Sequence, residues 1–592
     1  MDEQLIRLSV DGTMVEVCKG TRIIDACLQA GVKVPSLCYL KDISDHGSCG
    51  ICMVEVEGAK RLIRSCQHVV LPNMVIHTHT QRVLQARRLN LELILANHPL
   101  TCTQCERNLQ CELQSLSRQL GVAGSRFTRT KKHLLPLDET SSALVRDPNA
   151  CILCNRCVQV CSAMQTVHAI SMVNRGLQTK VATFFDEGLG NSVCTNCGQC
   201  SLVCPTAAIT ERDQADEVFA ALSDPSLTVV VQTAPAIRVA LGEALGLEQG
   251  SLVTGKMVSA LRALGFDKVF DTQFTADLTI IEEANELLQR MATGRTLPMI
   301  TSCSPGWIKF IETFYPDQLD HVSTCKSPQQ MFGALAKTFY AEKAAVDPRS
   351  IRVVSIMPCT AKKFEAGRSE MDSAFDYWRD RMGLSEEERF ADVDWALTTR
   401  ELARMIGRIG LDFTRLPEGL FDDPLGESTG SAALFASSGG VMEAALRTAY
   451  EKVSGTLLEE VEFSALRQAQ GIRQADIQIG EIKLKVAVAN TLANARILLD
   501  QIRKGTSEYA FIEVMTCPDG CIGGGGQIRP TNQEVRERRA QAVYTEDRGK
   551  PIRKSHENPA IKSLYASFLG EPLGPMSHHL LHTSYTLRDQ YR

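Results

Sequence analysis

The chain of 592 residues contains no apolar run long enough to cross a bilayer. Its opening residues, MDEQLIRLSVDGTMVEV, alternate as a strand does and offer no basic, apolar secretory leader or twin-arginine address. Cytoplasmic location is therefore the expectation. A net charge of −5 gives nucleic acid or an anionic membrane surface no footing. Glycine-rich dinucleotide fingerprints and flavin motifs are missing as well, so NAD(P) is not expected to bind to this chain itself. The apolar fraction of 44% and charged fraction of 22% are those of a soluble globular protein. At this length one hydrophobic core does not suffice, and several domains are expected.

The unusual feature is 22 cysteines. Seventeen precede residue 205, most of them two or three positions apart. Such close neighbours rarely satisfy disulfide geometry. In a long chain without a secretory leader they point to metal instead.

Residues 1–80 alternate as strands (LIRLSV, TMVEV, CMVEVEG) around a helical stretch, TRIIDACLQAG. Cys38, Cys49, Cys52 and Cys66, spaced C-x10-C-x2-C-x13-C, suit a [2Fe–2S] centre, with a structural zinc site as the alternative. Cys18 and Cys27 fall outside the spacing and are expected to be buried, as free cysteines commonly are. Over 81–120 a helix, VLQARRLNLELILANHP, breaks at Pro99. His98 then precedes Cys102, Cys105 and Cys111 in an H-x3-C-x2-C-x5-C run. Three thiols need a fourth ligand, and His98 is the nearest candidate for a histidine-ligated [4Fe–4S] cluster, zinc again being the alternative.

Over 140–212, CILCNRCVQVC (Cys151, Cys154, Cys157, Cys161) recurs as CTNCGQCSLVCP (Cys194, Cys197, Cys200, Cys204). This is the bacterial two-cluster ferredoxin run, in which the fourth cysteine of each copy binds the other cluster. Cys151, Cys154, Cys157 and Cys204 are thus expected on one [4Fe–4S] cluster, and Cys194, Cys197, Cys200 and Cys161 on the second. Three accessory [4Fe–4S] clusters follow in all.

A boundary is expected near Asp224-Pro225, and beyond it, over 225–592, apolar strands alternate with amphipathic helices. LTVVVQTAP leads into AIRVALGEALG, IRVVSIMPC into TAKKFEAG, and LKVAVAN into TLANARILLDQIRKG, a pattern of α/β architecture with largely parallel sheet. Three strands end in cysteine motifs: Thr301-Ser302-Cys303-Ser304-Pro305, Met357-Pro358-Cys359 and Thr516-Cys517-Pro518-Asp519-Gly520-Cys521, the last followed by Gly523 to Gly526. Open α/β sheets bind ligands beyond the carboxyl ends of their strands, so the three motifs can converge. Four successive glycines let backbone approach a bulky inorganic group.

These motifs resemble those of iron–iron (FeFe) hydrogenases: TSCCPxW, MPCxxKxxE, here with Cys359, Lys362 and Glu365, and MxCxxGCxxGGG, here with Met515, Cys517 and Cys521. The upstream cluster motifs follow in the same order, so the resemblance spans nearly the whole chain. It implies a [4Fe–4S] unit bridged through Cys521 to a two-iron centre with CO, cyanide and a dithiolate (the H-cluster), and reversible conversion of dihydrogen to protons and electrons. It places Cys359, Cys517 and Cys521 on the metal, with Met357, Lys362 and Pro235 cradling the two-iron unit. It gives Cys303, Glu283, Ser323 and Glu286 a proton path. Glu283 and Glu286 stand i, i+3 on one helix face, whereas Glu282 is expected on a solvated face. Ser304 stands where the pattern puts a cubane-ligating thiol. Serine oxygen is harder and less acidic than thiolate. Either it binds as an alkoxide, or a neighbouring or non-protein group completes the cubane. A non-catalytic electron-transfer subunit that has lost the two-iron unit is the alternative reading.

The expected architecture is multidomain α/β and α+β. A β-grasp ferredoxin-like domain, a helical His/Cys segment, a two-cluster ferredoxin domain and an α/β hydrogenase domain follow in order. Resemblance to multimeric NAD(P)-linked hydrogenases implies flavin- and NAD(P)-binding and small [2Fe–2S] partner subunits. It also implies ferredoxin as a further partner through electron bifurcation.

Overall fold

The computed structural model describes residues 4–128, 134–458, 460–467, 471–479 and 482–590. The chain divides into two compact units. The first takes Met1–Ser141, Val145–Ser192 and Val203–Thr210, and the second Ser142–Leu144, Val193–Leu202 and Glu211–Arg592. Cys194, Cys197 and Cys200 thus belong to the second unit, and the other thirteen upstream ligand candidates, His98 included, to the first.

In the first unit β1 (Leu5–Val10) and β2 (Thr13–Cys18) form a hairpin. Its turn, Asp11-Gly12, has positive φ at both residues, the twist a two-residue hairpin requires. With β3 (Met53–Val56), β4 (Ile63–Arg64) and β5 (Val75–His77) it builds a sheet of order β2-β1-β5-β3-β4. The β1–β5 pair is parallel and the others antiparallel. Helix α1 (Ile23–Gln29) closes the core over Leu8, Val17, Val54 and Ile76. Cys27 is buried there, but Cys18 is exposed: successive strand residues face opposite ways, and Val17 takes the inward position. Helix α2 (Gln81–Leu95) starts at Thr80, whose hydroxyl accepts from Val83 N–H, and shares Leu91 and Leu95 with Leu113, Leu116 and Leu120 of α3 (Glu112–Leu120).

The second unit holds two four-stranded sheets. In one, β6 (Thr228–Thr233), β7 (Lys268–Asp271), β9 (Ile351–Met357) and β10 (Trp395–Thr398) run parallel in the order β7-β6-β9-β10. In the other, β8 (Met299–Ile300), β13 (Phe511–Met515) and β12 (Ile482–Asn490) are parallel and β11 (Ile472–Ile479) is an antiparallel edge, in the order β8-β13-β12-β11. The predicted helix over AIRVALGEALG does not form; Leu241–Leu245 is a 3-10 turn. Arg238 is fully buried there, pairing with Asp271 at 2.7 Å and Glu546 at 2.9 Å, and these contacts override the helical pattern.

Helix α4 (Thr272–Thr293) runs between two cores. Phe274, Leu278 and Ile281 pack into one, and Ala276, Ile280 and Leu287 into the other. Both sides being covered, its acidic residues are interior. Glu282 is 0% exposed rather than solvated. It accepts hydrogen bonds from Tyr565, Ser577 and Leu573 N–H and meets His582 Nε2 at 3.1 Å.

Candidate active site

The three cysteine motifs leave the ends of β8, β9 and β13 and line one cavity of about 80 Å³. Two sheets, rather than one, supply them. Thr301 N–H bonds to Ile512 O across β8 and β13, and Ala234 N–H to Ile356 O across β6 and β9, which aims Pro235 and the motifs at a common space. Cys303, Ser304, Met357, Cys359, Lys362, Cys517 and Cys521 all line it, as does Cys197.

Burial raises the thiols of Cys359 and Cys517, and burial together with Cys359 pushes Cys521 up to about 12. Three thiols facing one another in an apolar space oppose ionisation unless a cation joins them, and a metal deprotonates a coordinating thiol outright. The glycines are packed to the limit. A Cβ on Gly524 would lie 2.2 Å from Pro358 O, and one on Gly525 2.2 Å from Cys197 O. Gln329 lines the cavity, and its Oε1 has no hydrogen-bond partner among the described residues. This donor set fits an iron–sulfur group larger than the side chains could fill by themselves. Lys362 reaches the same wall, its Nζ donating to Ser327 Oγ at 2.7 Å and Glu365 Oε2 at 2.8 Å.

Ser304 stands at the N-cap position of helix α5 (Pro305–Phe314) without a side-chain hydrogen bond to the helix. Its Oγ lies 2.8 Å from Thr516 Oγ1 and accepts from Thr516 N–H at 3.3 Å. Behind it Glu283, 0% exposed, accepts from Ser302 N–H at 3.4 Å, and Ser323 Oγ donates to Glu286 at 2.8 Å. Burial and the neighbouring Glu286 push the Glu283 carboxyl up to about 8. Burial, with Glu283 and Cys521 close by, keeps Cys303 a neutral thiol. Arg290 pairs with Glu286 at 2.7 Å, one helical turn on, a neighbour that the i, i+4 spacing could have given from the sequence. Cys325, buried beside Glu286, carries no motif and was not legible there.

In the first unit Cys38 and Cys49 sulfurs lie 3.4 Å apart, and Cys52 and Cys66 3.3 Å apart. Contact with Cys49 and Cys66 holds Cys38 well below an ordinary thiol, so the four form one knot. Cys151, Cys154, Cys157 and Cys204 line a single cavity, the set expected for one cluster. His98, Cys102 and Cys111 line another, where burial raises the Cys111 thiol and Cys105, off the cavity wall, adds to it. In the second unit Cys197 lines the active cavity, which sets the second ferredoxin run against it. Cys161 sits on the turn Val160–Met164 of the first unit.

Clustered cysteines earlier in the sequence and a thiol-lined cavity at strand ends define an iron–sulfur redox enzyme. Residues 227–525 match the iron only hydrogenase large subunit, C-terminal domain, and 533–588 the iron hydrogenase small subunit. Upstream, 3–81 match a 2Fe-2S iron-sulfur cluster binding domain, 87–126 an NADH-ubiquinone oxidoreductase-G iron-sulfur binding region, and 150–208 a 4Fe-4S dicluster domain. The chain is 46% identical to the NADP-reducing hydrogenase subunit HndD of Solidesulfovibrio fructosivorans, over 99% of this chain and 100% of that one. It is 36% identical to iron hydrogenase 1 of Clostridium pasteurianum, over 97% and 99%. A solved variant of the FeFe-hydrogenase HydA1 from Chlamydomonas reinhardtii matches with a TM-score of 0.56 and 40% identity, over 64% of this chain and 99% of that one.

The chain belongs to the iron-only (FeFe) hydrogenase family. It is a catalytic subunit that interconverts dihydrogen with protons and electrons, using [2Fe–2S] and [4Fe–4S] clusters and an H-cluster.

Proposed function

We propose that this subunit exchanges electrons with NAD(P) through flavin- and NAD(P)-binding partner subunits, and with ferredoxin through bifurcation, in the cytoplasm. The full-length likeness to a subunit of an NADP-reducing hydrogenase carries this reading. The mixed five-stranded sheet around Cys38, Cys49, Cys52 and Cys66 is read as a β-grasp ferredoxin domain, one exit for electrons. The two ferredoxin-type clusters and the His98 cluster complete the route.

At the cavity, Cys359, Cys517 and Cys521 are assigned to the H-cluster, with Ser304 as the fourth protein ligand. Thr516 supports an alkoxide there, since its N–H and hydroxyl both face Ser304 Oγ. Hydrogen bonds to a charged form favour that form. The H-cluster supplies the site at which dihydrogen is split or formed. Met357 and Pro235 wall it, and Lys362 presents its ammonium to anionic ligands. Cys303, Glu283, Ser323 and Glu286 move the proton.

The test compares the isolated chain with the chain plus co-expressed partner subunits. Alone it should oxidise dihydrogen to two protons, passing the two electrons to two molecules of an artificial one-electron dye, and leave NADP⁺ and NAD⁺ untouched. With partners, hydrogen-dependent NAD(P)⁺ reduction should appear. If the isolated chain reduces NAD(P)⁺, the partner assignment is wrong.

A further inference from the structure

Helix α2 lies against the turn that carries two of the [2Fe–2S] cysteines. Asn90 Nδ2 donates to Gly50 O at 2.7 Å, between Cys49 and Cys52. Leu91 and Leu95 share one core with Cys49 and Ile51. Arg87 stands three residues before Asn90, on the same helix face. Its Nη2 donates to Met53 O at 2.7 Å, and Met53 directly follows Cys52. The helix thus holds the C-x2-C turn twice, once with a neutral amide and once with a guanidinium.

That guanidinium lacks the partner a buried charge normally has. Arg87 is 5% exposed, and among the described residues its Nε has no hydrogen-bond partner and it forms no ion pair. Burying a charge is costly unless it is paired, and other buried arginines of this chain are paired. Arg156, beside Cys157, meets Glu112 at 3.0 Å, and Arg238 meets Asp271 at 2.7 Å. The groups around Arg87 do not fill the gap. Asp11 accepts from Thr78 N–H at 2.8 Å and from the Thr78 hydroxyl, and meets His79 at 3.3 Å. Burial pushes the Cys27 thiol up to about 12, so it stays neutral. Burial works against the Arg87 cation, and the Cys52 sulfur is foremost among the groups that favour it, ahead of Cys27 and Asp11. Cys52 belongs to the knot of four thiols that fits a [2Fe–2S] cluster, its sulfur 3.3 Å from that of Cys66. Loaded, the knot is an anion, since four thiolates and two sulfides outweigh two ferric ions, and reduction adds one more negative charge.

We propose that Arg87 is the fixed counter-charge of the [2Fe–2S] cluster and raises its potential by stabilising the reduced state. An electron added to an anionic centre is stabilised by a cation held nearby, most strongly where water is excluded. Net charge, hydrogen bonds and exposure are the terms that set the potentials of such clusters. Arginine is not deprotonated in proteins, so this contribution does not titrate. The bond to Met53 O keeps the charge in one place beside Cys52 in both redox states. Asn90 fixes the same turn but brings no charge, which separates the electrostatic role from a packing role. A cluster raised in this way fills more readily with electrons released from dihydrogen, whichever partner takes them next.

The test uses the full chain with its clusters loaded. The [2Fe–2S] midpoint is read by potentiometric titration of its paramagnetic signal, at temperatures where the [4Fe–4S] signals have broadened away. Arg87→Met keeps an apolar stem and removes the charge. At a given ambient potential it should lower the ratio of reduced to oxidised cluster at least tenfold, a midpoint shift of about 59 mV for one electron. Arg87→Lys keeps the charge and should recover most of that shift. Asn90→Ala loosens the same turn without changing its charge, and should move the midpoint far less. If Arg87→Met does not load the cluster, Arg87→Gln, also neutral and still able to donate to Met53 O, carries the same expectation. An unmoved or raised midpoint in the neutral variant overturns the counter-charge. So does a shift in Arg87→Lys or Asn90→Ala as large as in the neutral variant, which would leave Arg87 a packing residue only.

Discussion

The hydroxyl of Ser304 lies 2.8 Å from that of Thr516, in the wall of the cavity that Cys359, Cys517 and Cys521 also line. A hydroxyl that accepts from Thr516 N–H and lies within hydrogen-bond distance of Thr516 Oγ1 is a stronger candidate ligand than serine in isolation. Ser304→Ala should weaken or lose the cubane, with turnover falling in parallel. Ser304→Cys should retain the cluster and raise its potential, because thiolate stabilises cluster iron better than the harder oxygen. Paramagnetic resonance with potentiometry decides. A cubane that survives Ser304→Ala at full strength removes the serine from the ligand set.

Glu283 titrates near neutrality, pushed up to about 8 by burial and Glu286. Hydrogen evolution needs the protonated acid, so its rate should fall as pH rises through about 8. Hydrogen oxidation needs the carboxylate, and should rise over the same interval. Glu283→Gln should lower both by roughly 10²–10⁴-fold with clusters intact. The sign for stability is set too. The folded group binds its proton more tightly than the unfolded one, so its contribution is present below pH 4.5 and lost as pH rises to about 8. Rates with no pH dependence near 8 in either direction would count against the assignment.

His98 follows the end of α2, its N–H on Leu95 O at 3.2 Å, and lines a cavity with Cys102 and Cys111. His98→Cys should keep a [4Fe–4S] cluster there at a lower potential, because an anionic thiolate replaces neutral imidazole. His98→Ala should lose or convert that cluster. An unaltered signal in the alanine variant would show that histidine is no ligand.

Glu312 is 0% exposed on α5 and gathers Arg368 at 2.6 Å and Arg588, from the C-terminal segment, at 2.6 Å. Arg368→Met would leave a buried carboxylate short of its main partner, and should cost about 3–5 kcal/mol of unfolding free energy. Arg588 is partly exposed, so Arg588→Met should cost less. Chemical denaturation of the second unit, followed by tryptophan fluorescence, tests the order. Equal losses would contradict it.

The cluster-binding runs were legible in the sequence because iron–sulfur ligation demands thiols at short, fixed intervals, and Cys151, Cys154 and Cys157 carry that demand on their face. The strand-end motifs were legible for a related reason: a cysteine with proline or glycine close by at the end of an apolar run has few other uses. Burial was not legible where it depended on what covers an element. Glu282 looks solvated in a row of acids, yet α4 has a core on either side. Cys18 looks like any small apolar residue, yet its strand turns Val17 inward in its place. The helix expected after β6 gave way to Arg238, whose partners Asp271 and Glu546 lie 33 and 308 positions away. Cys325 and His582, 257 positions apart, meet only because one backbone bridge pairs them. Local chemistry writes its spacing into the chain; contacts between distant segments are chosen by packing, which no local pattern records.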